Sequence, residues 1–206
     1  MTAPATVLAA CDLACRRGER ILFRDLNVSV LAGQIVWLRG ANGQGKTSLL
    51  RLLAGLATPA AGRIDLVPGR ERVYVGHANA LKDDLTARES LRFLSRLHGF
   101  DSTAPALDDA LRRFGLHGRR DAPVRTLSQG QRRRVALARL CLAPPTALWL
   151  LDEPFDALDA DGVSALNALL ATHAARGGSV LLTSHLALTL TTPMPITLNL
   201  GGAVAA

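Results

Sequence analysis

Lysine, cysteine and aromatic residues are scarce in this chain of 206 residues. Lysine occurs only at Lys46 and Lys82, and aromatic residues make up 4% of the sequence. The three cysteines are an odd number in a chain of this length, which argues against a disulfide framework. Cys11 and Cys15 could form a metal-binding pair, but no second pair or nearby histidine completes such a site. We therefore expect both to be packing residues.

Long hydrophobic runs are also absent. Residues 177–206 carry no Asp, Glu, Lys or Arg, yet Gly177, Gly178, Pro193 and Pro195 interrupt this segment. Because a membrane-spanning helix needs about 20 mostly apolar residues, we expect a strand, a turn and a second strand here.

Positive charge is in excess and comes almost entirely from arginine. The formal net charge is +7, and the isoelectric point is about 10.5. Such a balance is typical of proteins that meet nucleic acid or an anionic membrane surface, but net charge does not separate these partners. Hydrophobic residues make up 49% and charged residues 20%, which excludes a disordered or low-complexity chain.

Apolar runs and turn residues predict strands that alternate with helices, which implies a parallel α/β sheet. The strand candidates are a hairpin at 7–31 and the segments 34–40, 63–67, 72–76, 147–151 and 179–184; the helix candidates are 46–56, 87–100, 106–116, 128–142 and 159–176. The helices near 86–143 form a block that interrupts the strand pattern. We expect one domain over residues 1–206, with a helical subdomain at approximately 80–143 inserted in its core.

The segment GANGQGKT (40–47) fits the phosphate-loop pattern G-x-x-x-x-G-K-[ST] and stands where that pattern requires, after a strand and at the start of a helix. Its glycines allow backbone N–H groups to point at phosphate oxygens, and the helix adds its positive end. Lys46 is expected to reach the β- and γ-phosphates and Thr47 to bind magnesium. The candidate nucleotide-binding residues are Gly40, Ala41, Asn42, Gly43, Gln44, Gly45, Lys46, Thr47 and Ser48.

Two carboxylates, Asp152 and Glu153, end the apolar run ALWLL (147–151). Strand alternation sends the two side chains in different directions, so they can do different jobs. We expect Asp152 to hold magnesium, directly or through water. Glu153 is then free to activate a water for in-line attack on the γ-phosphate.

The chain resembles the ABC ATPases in five motifs that follow the order and spacing of that family. They are GANGQGKT (40–47), LSQGQ (127–131), LLDEP (150–154), FDALD (155–159) and TSH (183–185). The resemblance implies an α/β P-loop NTPase with a mixed sheet core, an antiparallel β subdomain and a helical insertion. It also implies binding of ATP and Mg²⁺, and ATP hydrolysis.

The LSQGQ motif implies a partner chain. In the ABC ATPases this helix N-terminus, a site suited to anions, faces the γ-phosphate bound by the other subunit, so a head-to-tail homodimer with two ATP molecules is expected. Asp159 would lie in the turn that crosses this dimer, and His185 would contact the γ-phosphate. The residues of the motif that we assign to the nucleotide are Ser128, Gln129, Gly130 and Gln131.

The sequence departs from the family pattern at several positions. Arg17 stands where these ATPases often carry an aromatic residue that stacks on adenine; a guanidinium can also stack on a base, or Arg17 is a solvated hairpin residue. His77 stands where a glutamine usually touches magnesium and senses the membrane partner, or it is a histidine packed at a strand end. Gln129 replaces a glycine and Ala157 a serine, which leaves the fold intact.

Within the family, the chain resembles the haem exporter ATPase of bacterial cytochrome c maturation in its length and in the sequences of its motifs. This implies a peripheral protein on the cytoplasmic face of the inner membrane, bound to integral membrane subunits, with haem handled by those partners. The alternatives are another small ABC exporter, or a soluble ABC ATPase acting on DNA or ribosomes, which the arginine excess would suit. Because such soluble proteins usually carry two cassettes or a coiled coil, we expect no nucleic-acid partner and interpret Arg132–Arg134 as solvated or close to the ATP phosphates.

Overall fold

The computed structural model describes residues 5–188, 190 and 192–200. The chain divides into two compact units. We call the first the sheet unit; it comprises Met1–Gly76, Pro145–Glu153 and Leu170–Ala206. The second, the helical unit, comprises His77–Pro144 and Pro154–Leu169.

The elements follow the predicted alternation of strands and helices. The strands are β1 (Thr6–Arg17), β2 (Arg20–Leu31), β3 (Ile35–Arg39), β4 (Ala61–Leu66), β5 (Arg72–Val75), β6 (Leu148–Leu151), β7 (Ser179–Thr183) and β8 (Ile196–Asn199). The helices are α1 (Lys46–Leu53), α2 (Ala87–Leu97), α3 (Ala104–Arg113), α4 (Gln129–Ala138) and α5 (Ala160–Ala175). The predicted hairpin, the separate strands and all five helices are confirmed, with bounds shifted by a few residues at several ends.

The sheet unit contains two sheets. Strands β2, β1 and β4 form an antiparallel sheet, and strands β5, β6, β7, β3 and β8 form a sheet in which every described pairing is parallel. The α/β fold class is confirmed, and the smaller sheet is the antiparallel one. Every residue of β6 and β7 is buried, as expected for parallel strands that are covered on both faces.

The carboxyl ends of the parallel strands lie at one edge of the large sheet. β3 ends there at Arg39, β6 at Leu151 and β7 at Thr183. The residues that follow these strands are the phosphate loop, Asp152 and Glu153, and the TSH segment. Open parallel sheets bind ligands at this edge, so the fold alone brings three of the five motifs together.

Apolar residues of both sheets and of α1 form one core in the sheet unit. Leu49, Leu50, Leu52 and Leu53 of α1 are all buried in it. Cys15 belongs to the same cluster, and burial raises the pKa of its thiol. Among the described residues no group of three or more His, Cys, Asp and Glu side chains is arranged to hold a metal ion.

The helical unit begins with a capped helix. The Thr86 hydroxyl accepts a hydrogen bond from the Glu89 N–H at 3.2 Å, and the Glu89 carboxylate accepts one from the Thr86 N–H at 2.9 Å. This reciprocal capping box fixes the start of α2.

In the part of the chain that is described, no helix is both long and apolar enough to span a bilayer.

His173, near the end of α5, is a buried titratable group of the sheet unit. Its ring stacks on Trp149 with the centroids 3.5 Å apart, and its Nε2 lies 2.9 Å from the Ala147 carbonyl oxygen. Burial lowers the pKa of His173 to about 4 from the usual 6.5.

We therefore expect His173 to make stability depend on pH. Between pH 6.5 and about 4 the unfolded chain takes up a proton that the folded chain does not, so the folded state loses up to about 3 kcal/mol as the pH falls through this window. Replacing His173 with Phe keeps a ring on Trp149 but removes the titration. Between pH 4.5 and 7.5, the melting temperature should depend less steeply on pH in the variant than in the wild type. An identical pH dependence would contradict the assignment.

Candidate functional site

The phosphate loop wraps around its own lysine. The ammonium of Lys46 donates to the carbonyl oxygens of Gly40 at 2.7 Å and Ala41 at 3.3 Å. The Ala41 N–H donates to Gln44 Oε1 at 2.7 Å. These bonds hold the Lys46 ammonium close to the N-terminus of α1. A helix N-terminus also favours a bound anion, so the two features act in the same direction.

Gly45 is required at the turn into α1. It caps the helix with φ of 99°, in the region that disfavours side chains. A Cβ atom there would lie 3.1 Å from the Leu22 Cβ. Lys46 and Thr47 follow directly, so this turn sets the position of both predicted phosphate-site residues.

Asp152 lies at the end of β6 and contacts the phosphate-loop helix. Its side chain is 4% exposed. Asp152 Oδ2 accepts a hydrogen bond from the Thr47 hydroxyl at 2.9 Å, and Oδ1 accepts one from the Thr183 hydroxyl at 3.0 Å. The structure thus brings together Thr47 and Asp152, two of the three residues predicted from the sequence to contact magnesium.

Glu153 points away from Asp152 and toward His185. The His185 N–H donates to Glu153 Oε2 at 3.0 Å, and His185 Nε2 lies 3.5 Å from Glu153 Oε1. Glu153 is 9% exposed and has φ of 48°, which is uncommon outside glycine. The two adjacent carboxylates therefore bond different partners. β6 ends at Leu151, so the left-handed turn at Glu153, and not strand alternation, separates them.

Two contacts of the sheet unit were missed by the sequence analysis. Thr183, which bonds Asp152, also accepts the Glu153 N–H at 2.8 Å. The Trp37 indole donates to the Ser184 carbonyl oxygen at 3.2 Å, which ties β3 to the segment that carries His185. The signal for Thr183 was a hydroxyl residue at the end of an otherwise apolar strand.

A cavity of about 570 Å³ opens beside the phosphate loop. Lys46 and His185 line it, together with Arg39 and Asn199 at the ends of two neighbouring strands. The Arg39 guanidinium lies 4.6 Å from the centre of the Trp37 ring. The cavity is therefore bordered by cationic and polar groups, which suits an anionic ligand such as a nucleotide phosphate.

The LSQGQ segment lies in the helical unit and opens α4. Ser128 caps the helix: its hydroxyl accepts from the Gln131 N–H at 3.2 Å, and Gln131 Oε1 accepts from the Ser128 N–H at 3.0 Å. Both Ser128 and Gln129 are exposed. The motif residues thus form a helix N-terminus open to solvent, as the sequence pattern predicts.

Asp159 is fixed within the helical unit. Its carboxylate accepts the Gly162 N–H at 2.9 Å and forms an ion pair with Arg134. The hydrogen bond from Gly162 is the main cause that lowers the pKa of Asp159, and Arg134 adds to it. Asp159 therefore carries a stable negative charge at the start of α5.

His77 also lies in the helical unit, with its side chain 74% exposed. Its Nδ1 lies 3.6 Å from Asp156 Oδ2. Because most of the side chain is exposed, this imidazole is not packed in the core.

Arg17, at the end of β1, is exposed and pairs in register with Arg20 across the hairpin.

Arg132–Arg134 are predicted from the sequence to be solvated or close to the ATP phosphates, and the first of these alternatives is wrong for Arg133. Arg133 is 3% exposed, and its guanidinium donates to the carbonyl oxygens of Pro154 at 3.3 Å and His77 at 3.4 Å. A guanidinium has five donors, so it can satisfy carbonyls from two distant loops. Arg133 is a structural residue of the helical unit.

Together, the phosphate loop, the strand-end carboxylates and the LSQGQ helix define a P-loop ATPase of the ABC class. The chain belongs to the ABC transporter family, whose model matches residues 23–156. It therefore binds ATP and is an ATP hydrolase.

Three relatives share about half of their residues with this chain. The cytochrome c biogenesis ATP-binding export protein CcmA of Aromatoleum aromaticum is 49% identical, covering 90% of this chain and 91% of that protein. The CcmA proteins of Methylococcus capsulatus and Haemophilus influenzae are 48% and 46% identical, covering 88% and 86% of this chain and 92% and 88% of those proteins.

Solved structures agree on the fold. The ATP-binding subunit of an ABC transporter superposes with a TM-score of 0.77 at 28% identity, covering 88% of this chain and 80% of that chain. A Pyrococcus furiosus protein described as an ABC transporter ATP-binding protein superposes with a TM-score of 0.82 at 23% identity, covering 96% and 99%.

The backbone contact at Gly130 yields a prediction. A Cβ at this position would lie 2.6 Å from the Ala157 carbonyl oxygen, so Gly130→Ala must displace the start of α4 or the FDALD turn. We expect a loss of about 1–3 kcal/mol in the free energy of unfolding. Gly118→Ala is the matched control, because a Cβ there meets nothing within 4 Å. Urea unfolding should separate the two variants; equal midpoints would contradict the contact.

Proposed function

We propose that this chain is the ATPase subunit of an ABC exporter that serves cytochrome c biogenesis. The observation that supports this most directly is the near 50% identity to cytochrome c biogenesis export proteins over about nine-tenths of the chain. In this proposal the protein is peripheral, on the cytoplasmic face of the bacterial inner membrane. It binds integral membrane subunits that handle haem, and nucleic acid is not a partner.

The oxygen ligands around Asp152 fit a magnesium ion. Hydroxyl and carboxylate oxygens are the ligands that Mg²⁺ prefers. The Thr47 hydroxyl donates a hydrogen bond to Asp152, which leaves a lone pair on the hydroxyl oxygen for a metal. Thr47 and Asp152 would hold Mg²⁺, and His77 is a further candidate contact. When bound, the ion would neutralise charge on the β- and γ-phosphates.

Glu153 would act as the general base. We assign it to orient a water and accept its proton as the water oxygen attacks the γ-phosphorus and ADP leaves. His185, which already bonds the Glu153 carboxylate, would contact the γ-phosphate. Lys46 and the loop N–H groups would hold the β- and γ-phosphates, so most of the catalysis is positioning and charge stabilisation.

The rest of the nucleotide site would come from a second copy of the chain. Ser128 and Gly130 stand at an exposed helix N-terminus, which suits a γ-phosphate bound by the partner subunit. We infer a head-to-tail homodimer in which Asp159 lies at the crossing turn and each chain acts as a single ABC ATPase domain. Arg17, exposed on the hairpin, would stack on adenine.

The role of Glu153 is tested by Glu153→Gln, with Lys46→Ala as the comparison. Glutamine keeps the size of the side chain but cannot accept the proton, so turnover should fall by at least about 100-fold while ATP still binds. With ATP, the variant should elute as a dimer in size-exclusion chromatography. Lys46→Ala should instead lose ATP affinity. A Glu153→Gln monomer with normal turnover would refute the role of Glu153.

The cargo is tested in a bacterial strain that lacks its own CcmA protein. Expression of this chain should restore c-type haem staining in the periplasm, Glu153→Gln should not, and b-type haem should stay unchanged in every strain. A chain that hydrolyses ATP but leaves c-type haem absent would point to another export cargo. Recovery of nucleic acid, with no membrane protein, on a tagged chain would favour the soluble class of ABC ATPase.

A further inference from the structure

We propose that Thr183 is a positioning residue that holds Asp152 and Glu153 in their separate directions for ATP hydrolysis. This inference rests on the proposed function, in which Asp152 holds magnesium and Glu153 activates water. Thr183 is the last residue of β7 and is fully buried, with 0% of its surface exposed. It would touch neither substrate nor metal and would act through its two neighbours.

The hydroxyl of Thr183 bonds both acidic residues at once. It accepts a hydrogen bond from the Glu153 N–H at 2.8 Å and donates one to Asp152 Oδ1 at 3.0 Å. A backbone N–H can only donate, and a hydroxyl has a single proton. The direction of both bonds is therefore fixed, and the proton of Thr183 must point at Asp152.

The carboxylate plane of Asp152 is set by two hydroxyls from different elements. Thr183 on β7 bonds one oxygen, and Thr47 on α1 bonds the other at 2.9 Å. Loss of the Thr183 bond would remove one of the hydrogen bonds that orient this carboxylate. The predicted metal ligand would then be held less firmly toward the phosphate loop.

The turn at Glu153 depends on the same hydroxyl. Glu153 has φ of 48°, and a left-handed conformation persists in a non-glycine residue when surrounding contacts enforce it. The bond from the buried Glu153 N–H to Thr183 is one such contact. Two residues further along the chain, the His185 N–H binds the Glu153 carboxylate. The last residue of β7 and the segment that follows it therefore contact both the backbone and the side chain of Glu153.

The test compares three substitutions in the full-length chain. Thr183→Val keeps the shape but removes the hydroxyl, and Thr183→Ser keeps the hydroxyl. Ser179→Ala is the matched control, because Ser179 is buried on the same strand and its hydroxyl bonds a backbone carbonyl, that of Leu31, at 2.8 Å. ATPase kcat, KM for ATP, the Mg²⁺ concentration for half-maximal rate and the melting temperature are measured for each.

We expect Thr183→Val to lower kcat by about 10- to 100-fold, since misplaced reacting groups cost this much, and to raise the Mg²⁺ requirement. KM for ATP should stay within about threefold of wild type, because the phosphate loop is intact. Thr183→Ser should restore kcat to within about threefold. Ser179→Ala should lower the melting temperature without changing kcat per folded molecule.

A kcat of Thr183→Val equal to wild type would overturn the inference, and so would equal losses in Thr183→Val and Thr183→Ser. If Thr183→Val does not fold, Thr183→Ala carries the same comparison against Ser179→Ala. Glu153→Gln, assayed in parallel, distinguishes a failure of the proposed role of Glu153 from a failure of the role of Thr183. Full activity of Glu153→Gln would remove the proposed base itself, whereas an inactive Glu153→Gln beside a fully active Thr183→Val would remove only the role of Thr183.

Discussion

The turn between Asp152 and Glu153 is the constraint on which the rest of the site depends. One peptide bond separates two carboxylates that bond different partners, and both are almost fully buried. Burying two acidic groups side by side is costly unless each has its own hydrogen-bond donors. The fold meets this cost by ending β6 between β7 and β5, where the hydroxyl of Thr183 and the N–H of His185 supply such donors.

The phosphate loop is preorganised by bonds within the loop. Lys46 donates to carbonyl oxygens of the loop that it follows, so its cation is held in place before any phosphate arrives. The N–H groups at the start of α1 and the Arg39 guanidinium, which lines the adjoining cavity, add positive potential. In the proposed function, a preformed site of this kind would need little reorganisation when the phosphoryl group is transferred.

Arginine has a second use in this chain that net charge does not reveal. Arg72 donates to the Leu53 carbonyl oxygen at 3.0 Å, and Arg70 donates to that of Gly177 at 3.0 Å. Arg139 is buried, and burial lowers its pKa to about 10. Several guanidinium groups therefore bond backbone carbonyls or lie in the interior, so part of the arginine content is structural.

The sequence by itself determined the order of strands and helices and the phosphate loop, because these follow from local periodicity and from fixed residue spacing. The tertiary structure alone decided that Thr183 bonds both acidic residues, that Arg133 is buried, and that Gly130 touches Ala157. Each of these contacts joins positions more than 20 residues apart, and periodicity carries no information on which distant side chains meet. Only the packing of strands and helices brings such residues within hydrogen-bond distance.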